Sequence, residues 1–231
     1  MYDGALSSVY DRLIDFDYEG YLNAIVPYLK GRGADLGCGS GTMTAMIRAL
    51  GCEVSGIDSS IEMLNVAAGK SGCEDIQWIM GDMSLVGGFK ELDFVTCVCD
   101  GFNYLTHKKL AAVIAKIKGA LKAGGALIFD ISSEKKLKDI AEQTYFFEQD
   151  GISCGWCNFC GKDCVDMQLT FFVDRGDGLY ERGEERQRQY IHSLTDVKRM
   201  LQGFDVKICD GVSYKRVSGR SERLLFICIK K

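Results

Sequence analysis

Three glycines and three acids carry the sharpest chemistry in this sequence. Asp35-Leu36-Gly37-Cys38-Gly39-Ser40-Gly41 sits between an apolar run and a helical pattern. Glycines there let the backbone approach a ligand that β-carbons would repel. The spacing is G-x-G-x-G, with Thr42 where a dinucleotide fingerprint needs its last glycine, and no Lys-Ser or Lys-Thr pair follows as in a phosphate loop. Asp35 would repel a pyrophosphate and suits a ligand carrying an ammonium group. Asp58 ends a second strand-like run and is placed for the two hydroxyls of a ribose, or to cap the helix that follows. Asp82 closes a third run and could accept from an adenine amino group. A nucleoside with a positively charged tail suits all three acids.

Other residues admit two readings each. Asp100, Tyr104, Tyr190 and His192 fall in loops expected to face that ligand and could serve as a general base. Asp100 also reads as a turn residue, and His192, after the apolar Ile191, as a structural histidine. Tyr10, Phe102, Tyr104 and Trp156 could line an aromatic pocket or simply pack. Cys154, Cys157, Cys160 and Cys164 have the C-x2-C-x2-C-x3-C spacing of iron–sulfur ligands without the following proline. A regular strand there would turn Cys157 away from Cys154 and Cys160, so convergence on one ion requires a loop. The reading adopted is no metal.

The elements that must position these residues follow from periodicity. Val9, Leu13, Phe16, Tyr21, Leu22, Ile25, Val26 and Leu29 predict helix through the first thirty residues. Strands are expected at 33–36, 53–58, 76–80, 94–99 and 126–131. Helices are expected at 42–50, from a Ser59 cap to Gly69, and from a Thr106 cap to Leu121. Such alternation means a parallel sheet with helices on both faces. From 144 to 190 the pattern becomes alternating and glycine-punctuated, as in antiparallel hairpins. A helix capped by Ser193 and strands at 204–209 and 224–229 complete about seven strands.

Composition limits the partners. The 231 residues are 47% apolar and 26% charged, with 27 glycines, one proline and a net charge of −4. That balance argues against disorder and disfavours nucleic acid as a partner. Lys108, Lys109, Lys116, Lys118 and Lys122 read as the solvated face of one helix. Two histidines are too few for helical zinc motifs, and eleven cysteines are too sparse for a disulfide scaffold. No apolar run approaches ~18 residues and no signal pattern opens the chain, so a cytoplasmic location without membrane contact is expected.

The ordered set of motifs resembles class I S-adenosylmethionine-dependent methyltransferases, a bacterial subgroup of small cytoplasmic members with an inserted β-annex above all. The matching pieces are Tyr10-Asp11-Arg12-Leu13, Asp35 to Gly41, Ile57-Asp58-Ser59-Ser60, Gly81-Asp82-Met83, Cys99-Asp100-Gly101-Phe102-Asn103-Tyr104-Leu105, Leu121-Lys122-Ala123-Gly124-Gly125 and Gly203-Phe204. The resemblance implies a Rossmann-like α/β fold: a seven-stranded, mostly parallel sheet whose last strand is reversed beside the fifth, plus a small antiparallel β subdomain. Residues 1–142 and 191–231 would form the core and 143–190 an insertion over the substrate side.

It also implies S-adenosylmethionine as cofactor. Gly37, Gly39 and Gly41 would pass under its methionyl and ribose parts, with Asp35 near the ammonium end. Asp58 would hold the ribose, and Met63, Asp82 and Met83 would border adenine, though Met63 could equally fill core. Cys99 and Asp100 would sit by the methionyl group, with Tyr10 in the same set. The function expected is methyl transfer by in-line displacement to a small-molecule acceptor. The alternative is a non-catalytic sensor or interaction module binding the cofactor, or a metal through the cysteines. The acceptor and the oligomeric state are not legible.

Overall fold

The computed structural model describes residues 10–13 and 16–231. The amino-terminal pattern divides into two helical pieces, residues 10–13 and α1 (Tyr18–Ile25). Asp17 causes the break, because its carboxylate accepts from Gly20 N at 2.8 Å and starts a new helix. Val9 lies outside the described residues.

The expected alternation follows: β1 (Arg32–Leu36), α2 (Thr42–Ala49), β2 (Glu53–Asp58), α3 (Ile61–Ala68), β3 (Gln77–Met80), β4 (Leu92–Cys97), α4 (His107–Ala120) and β5 (Leu121–Ser132). After these come α5 (Glu134–Ile140), four annex strands, α6 (Leu194–Met200), β10 (Phe204–Asp210) and β11 (Arg223–Lys230). The large sheet has seven strands in the order β10-β11-β5-β4-β1-β2-β3. Strands β1 to β5 are mutually parallel, and β11 runs antiparallel to both its neighbours.

Both faces of this sheet are covered, which is why its strands read as continuous apolar runs. Leu127, Phe129, Phe226 and Cys228 pack one way, with Leu110, Ile114 and Ile117 of α4 and Val197 of α6. Their neighbours Ile128, Leu225 and Ile227 pack the other way, with Tyr21 and Ile25 of α1 and Met43 and Ile47 of α2. Each fully buried side chain of this kind contributes about 1.5–3 kcal/mol, so the period-two division makes any register slip costly.

Three of the differences in element boundaries have a local cause. Ser60, not Ser59, caps α3 and accepts from Met63 N at 3.2 Å. Asp58 shifts the start by taking Ser60 N on its own carboxylate at 2.9 Å. Strand β4 stops at Cys97 because Cys99 and Asp100 both adopt positive φ, 55° and 51°. Strand β5 starts at Leu121, and Gly124-Gly125 form an irregularity within it where the pairing with β4 shifts register.

The annex is a separate antiparallel sheet of β6 (Thr144–Gln149), β7 (Ile152–Cys160), β8 (Cys164–Gly176) and β9 (Leu179–Tyr190), in sequence order. Its turns fall at Asp150-Gly151, 161–163 and Asp177-Gly178. Leu137 and Ile140 of α5 pack with Val165, Met167 and Trp156, which fastens the annex to the core. Strand β7 is regular, so Cys154 and Cys157 stand on opposite faces. Among the described residues no three His, Cys, Asp or Glu side chains converge as a metal site, and no helix is long and apolar enough to cross a membrane.

Candidate active site

The carboxyl ends of β1, β2, β3 and β4 open into a cleft of about 380 Å³, the size range of small-molecule sites. Gly37 and Gly39 border it from the first loop, Asp58, Ser59 and Ser60 from the second, and Asp82 and Met83 from the third. Gly39 has φ +54°, and a β-carbon there would meet nothing within 4 Å, so the bare backbone faces open space. Its N–H donates to Asp58 Oδ2 at 2.9 Å. Asp58 thereby braces both loops, Gly39 through one oxygen and Ser60 through the other. Asp82 accepts from Ser84 N at 2.7 Å, and these hydrogen bonds to Ser84 hold its carboxyl below the usual range.

Asp35 lies underneath rather than in the cleft. It is fully buried, accepting from Thr44 Oγ1 at 2.6 Å and Thr96 Oγ1 at 2.7 Å. Burial pushes its pKa up to about 6 despite those two donors, with the charge of Asp58 adding to the rise. Its position ties α2 to β4. Gly41 is likewise structural: a β-carbon would stand 2.6 Å from the Trp78 ring and 2.7 Å from Ala67 Cβ.

Beyond β4 the chain makes a strained turn, with two consecutive non-glycine residues in the left-handed region. Asp130, fully buried on β5, supports it by accepting from Cys99 N at 3.0 Å and Asp100 N at 2.9 Å. Arg223 of β11 donates to the same carboxylate and lies 3.7 Å from Asp100. Ser132 Oγ donates to Asp100 at 2.7 Å. Burial opposes the Arg223 charge, but Asp130 and Asp100 outweigh it and hold its pKa above the ordinary value. Burial drives the Cys99 thiol up, so it stays protonated and is no nucleophile.

A second chamber of about 330 Å³ adjoins the first. The two share Tyr10, Cys99, Tyr104 and Gln187. Phe16, Phe147 and Trp156 give the second chamber aromatic walls, and Asp100 borders it instead of the first. Residues 10–13 close over the junction. Asp11 accepts from Ser40 Oγ and from Lys70 Nζ, the latter at 2.7 Å, while Lys70 also donates to Thr42 Oγ1 at 2.6 Å. Arg12 donates to the carbonyl of Asp150 in the annex. One short helical segment thus spans the glycine loop and the β6–β7 turn.

This arrangement has parallels among known proteins. A methyltransferase-domain family model matches residues 34–125. YqeM of Bacillus subtilis (strain 168), named as a methyltransferase, is 33% identical over 239 residues, spanning 98% of this chain and 96% of its own. The crystal structure of an S-adenosylmethionine-dependent methyltransferase from Clostridium acetobutylicum ATCC 824 superposes with a TM-score of 0.88 at 26% identity, covering 98% of each chain. The chain belongs to the S-adenosylmethionine-dependent methyltransferases. The amino pentose methyltransferase CalS10 of Micromonospora echinaspora shares the fold, with a TM-score of 0.72 at 17% identity over 100% of this chain and 98% of its own.

In this methyltransferase the residues singled out by sequence divide into two groups. Tyr10, Gly37, Gly39, Asp58, Asp82, Met83 and Cys99 come together around the first cleft. Asp35, Gly41 and Met63 do not border it, and Met63 is fully buried. Tyr104 stands between the chambers, its hydroxyl donating to Gln187 Oε1 at 2.9 Å. Tyr190 and His192 border neither; His192 is buried with its ring 5.9 Å from that of His107, and burial lowers its pKa. Of the four aromatics, Phe102 is core, 5.0 Å from Phe129. Sequence reasoning missed Phe16, Lys136, Phe147, Gln187, Gln189 and Arg223, all of which border the second chamber. Only the alternation of Gln187 and Gln189 along β9 offered a signal.

Proposed function

We propose that the first cleft binds S-adenosylmethionine through Gly37, Gly39 and Asp58, and that the second chamber holds a small-molecule methyl acceptor. The observation that carries this reading is the shared wall of Tyr10, Cys99, Tyr104 and Gln187, which puts two small-molecule chambers in contact at one place. An in-line displacement needs that relation of donor to acceptor. The fit of the cofactor rests on the open backbone at Gly39 and the carboxylate of Asp58 at the β2 end. Asp82 and Met83 would border its base, and Cys99 its reacting end.

Bound there, the cofactor supplies a methyl group already activated on a sulfonium. The protein's own task is then to orient the acceptor and keep water out. Residues 10–13, latched at both ends, roof the junction. The Asp130–Arg223 pair fixes the turn that forms its floor. Tyr104 is engaged with Gln187, and Asp100 with Ser132 and Arg223, so both act here as positioning groups. Residues 143–190 serve as the substrate-side cover, since β9 walls both chambers.

Calorimetric titration with S-adenosylhomocysteine tests the cofactor half of this assignment. Saturable binding to the wild type, weakened at least tenfold in Asp58→Ala with an unchanged far-ultraviolet spectrum, is the expected result. Equal affinity in the two proteins would remove the first cleft as the cofactor site.

A further inference from the structure

The second chamber holds more polar chemistry than aromatic walls alone require. Lys136 on α5 borders it and is half-buried. The neighbouring Lys135 and Lys138 pair with Asp139 and Glu134, whereas Lys136 has no ion-pair partner among the described residues. The other cation in the chamber, Arg223, is already engaged with Asp130 and Asp100. Gln189 is 6% exposed, and its side-chain amide makes no hydrogen bond among the described residues. Gln187 accepts from Tyr104 through Oε1, which leaves its N–H groups available. Lys136, Gln187 and Gln189 therefore border a chamber whose other walls include Phe147 and Trp156.

A ligand that supplies an acceptor to these donors would gain charge-assisted hydrogen bonds with them. We infer that the methyl acceptor is a small aromatic carboxylic acid, its ring against Phe147 and Trp156 and its carboxylate received by Lys136 and the Gln189 amide. This rests on the assignment of the second chamber to the acceptor. The polarity of binding follows from which chamber each residue borders. Lys136 and Gln189 border only the second, while Gln187 borders both. The carboxylate is thus an anchor at the far end, and the methylated atom lies on the opposite side of the ring, toward Cys99 and Tyr104. A neutral isostere would leave Lys136 uncompensated, which gives the site a basis for rejecting it.

The test is calorimetry on the full chain saturated with S-adenosylhomocysteine, using benzoate, indole-3-carboxylate and 1-naphthoate, each beside its primary amide. At least one acid should bind tenfold or more tightly than its amide. Lys136→Met should weaken that acid about tenfold and leave the amide unchanged, and Gln189→Leu should weaken it severalfold. Lys135→Met, on the same helix, should change neither. Equal binding of acid and amide, no binding of any of the acids, or an acid preference that survives Lys136→Met would overturn the inference. Saturation by S-adenosylhomocysteine is measured first, so failure of the cofactor assignment registers separately from failure of the acceptor class.

Discussion

Arg223 and Asp130 meet across the antiparallel pair β11 and β5, ion-paired beside the turn where Cys99 and Asp100 take left-handed backbone. The carboxylate is fully buried, and its other partners are the two amides of that turn. Removing the guanidinium would strand a charge in the interior, a change that typically costs 3–5 kcal/mol. Arg223→Met should therefore lose roughly 3 kcal/mol in urea unfolding at pH 7. With the cation gone, the folded-state pKa of Asp130 rises further, so the deficit should shrink as pH falls and the acid takes up a proton. Asp130→Asn combined with Arg223→Met should recover part of the loss. A deficit that ignores pH would mean the pair is not electrostatically coupled.

The buried carboxyl of Asp35 sets a pH dependence of stability. Its folded pKa of about 6 stands above the unfolded value near 3.9. The folded state therefore binds the proton more tightly, and the stability present below pH ~4 is lost as pH rises through the folded value. Two units correspond to about 3 kcal/mol. Asp35→Asn should be insensitive to this loss, so its stability relative to wild type should rise by up to that amount between pH 4 and pH 7. Urea midpoints at the two pH values decide it; a constant offset would give Asp35 an ordinary carboxylate pKa.

Two glycines of one loop should fail in different ways. Gly39→Ala adds a methyl where nothing lies within 4 Å, so the cost to folding is the left-handed backbone alone, about 1–2 kcal/mol. The methyl would intrude on the cleft and should weaken S-adenosylhomocysteine binding more than tenfold. Gly41→Ala drives its methyl into Trp78 and Ala67 and should lower the melting temperature more, with less direct effect on affinity per folded molecule. Thermal melts and calorimetry on the pair separate the two roles.

Lys70 joins the roof to the start of α2, just past the glycine loop, by donating to both Asp11 and Thr42. These groups are partly exposed, so Lys70→Ala should change global stability by less than about 1 kcal/mol. Loosening residues 10–13 should nonetheless raise the apparent KM for S-adenosylmethionine severalfold. An unchanged KM would mean the segment closes without that latch.

The sheet was legible because its signals are local. Glycine punctuation, apolar runs of strand length and the acids at strand ends are all written within a few residues of where they act. The glycine loop and Asp58 could be found for the same reason. What local pattern could not tell is which way a loop residue points. Gly41, Met63 and Asp35 lie among true cleft residues in the chain, yet face Trp78, the core and two buried threonines. The second chamber was hardest to read, because Phe16, Lys136, Phe147 and Gln189 come together only when the annex lies against α5. Helix α5 itself is seven residues with Leu137 as its buried anchor, too short for a periodic signal.

Strand β9 presents Glu185, Gln187 and Gln189 on its inward face, while Arg186 and Arg188 are exposed, Arg188 paired with Asp166 at 2.6 Å. If the second chamber takes the acceptor as proposed, its selectivity rests in part on Gln187 and Gln189, alternate letters of one strand. Of the three inward letters only Gln189 borders the second chamber alone, so it is the one that can change with the first cleft untouched. A one-residue insertion in β9 ahead of them would do something more abrupt: it would swap amides for guanidiniums and change the chamber's charge in a single step.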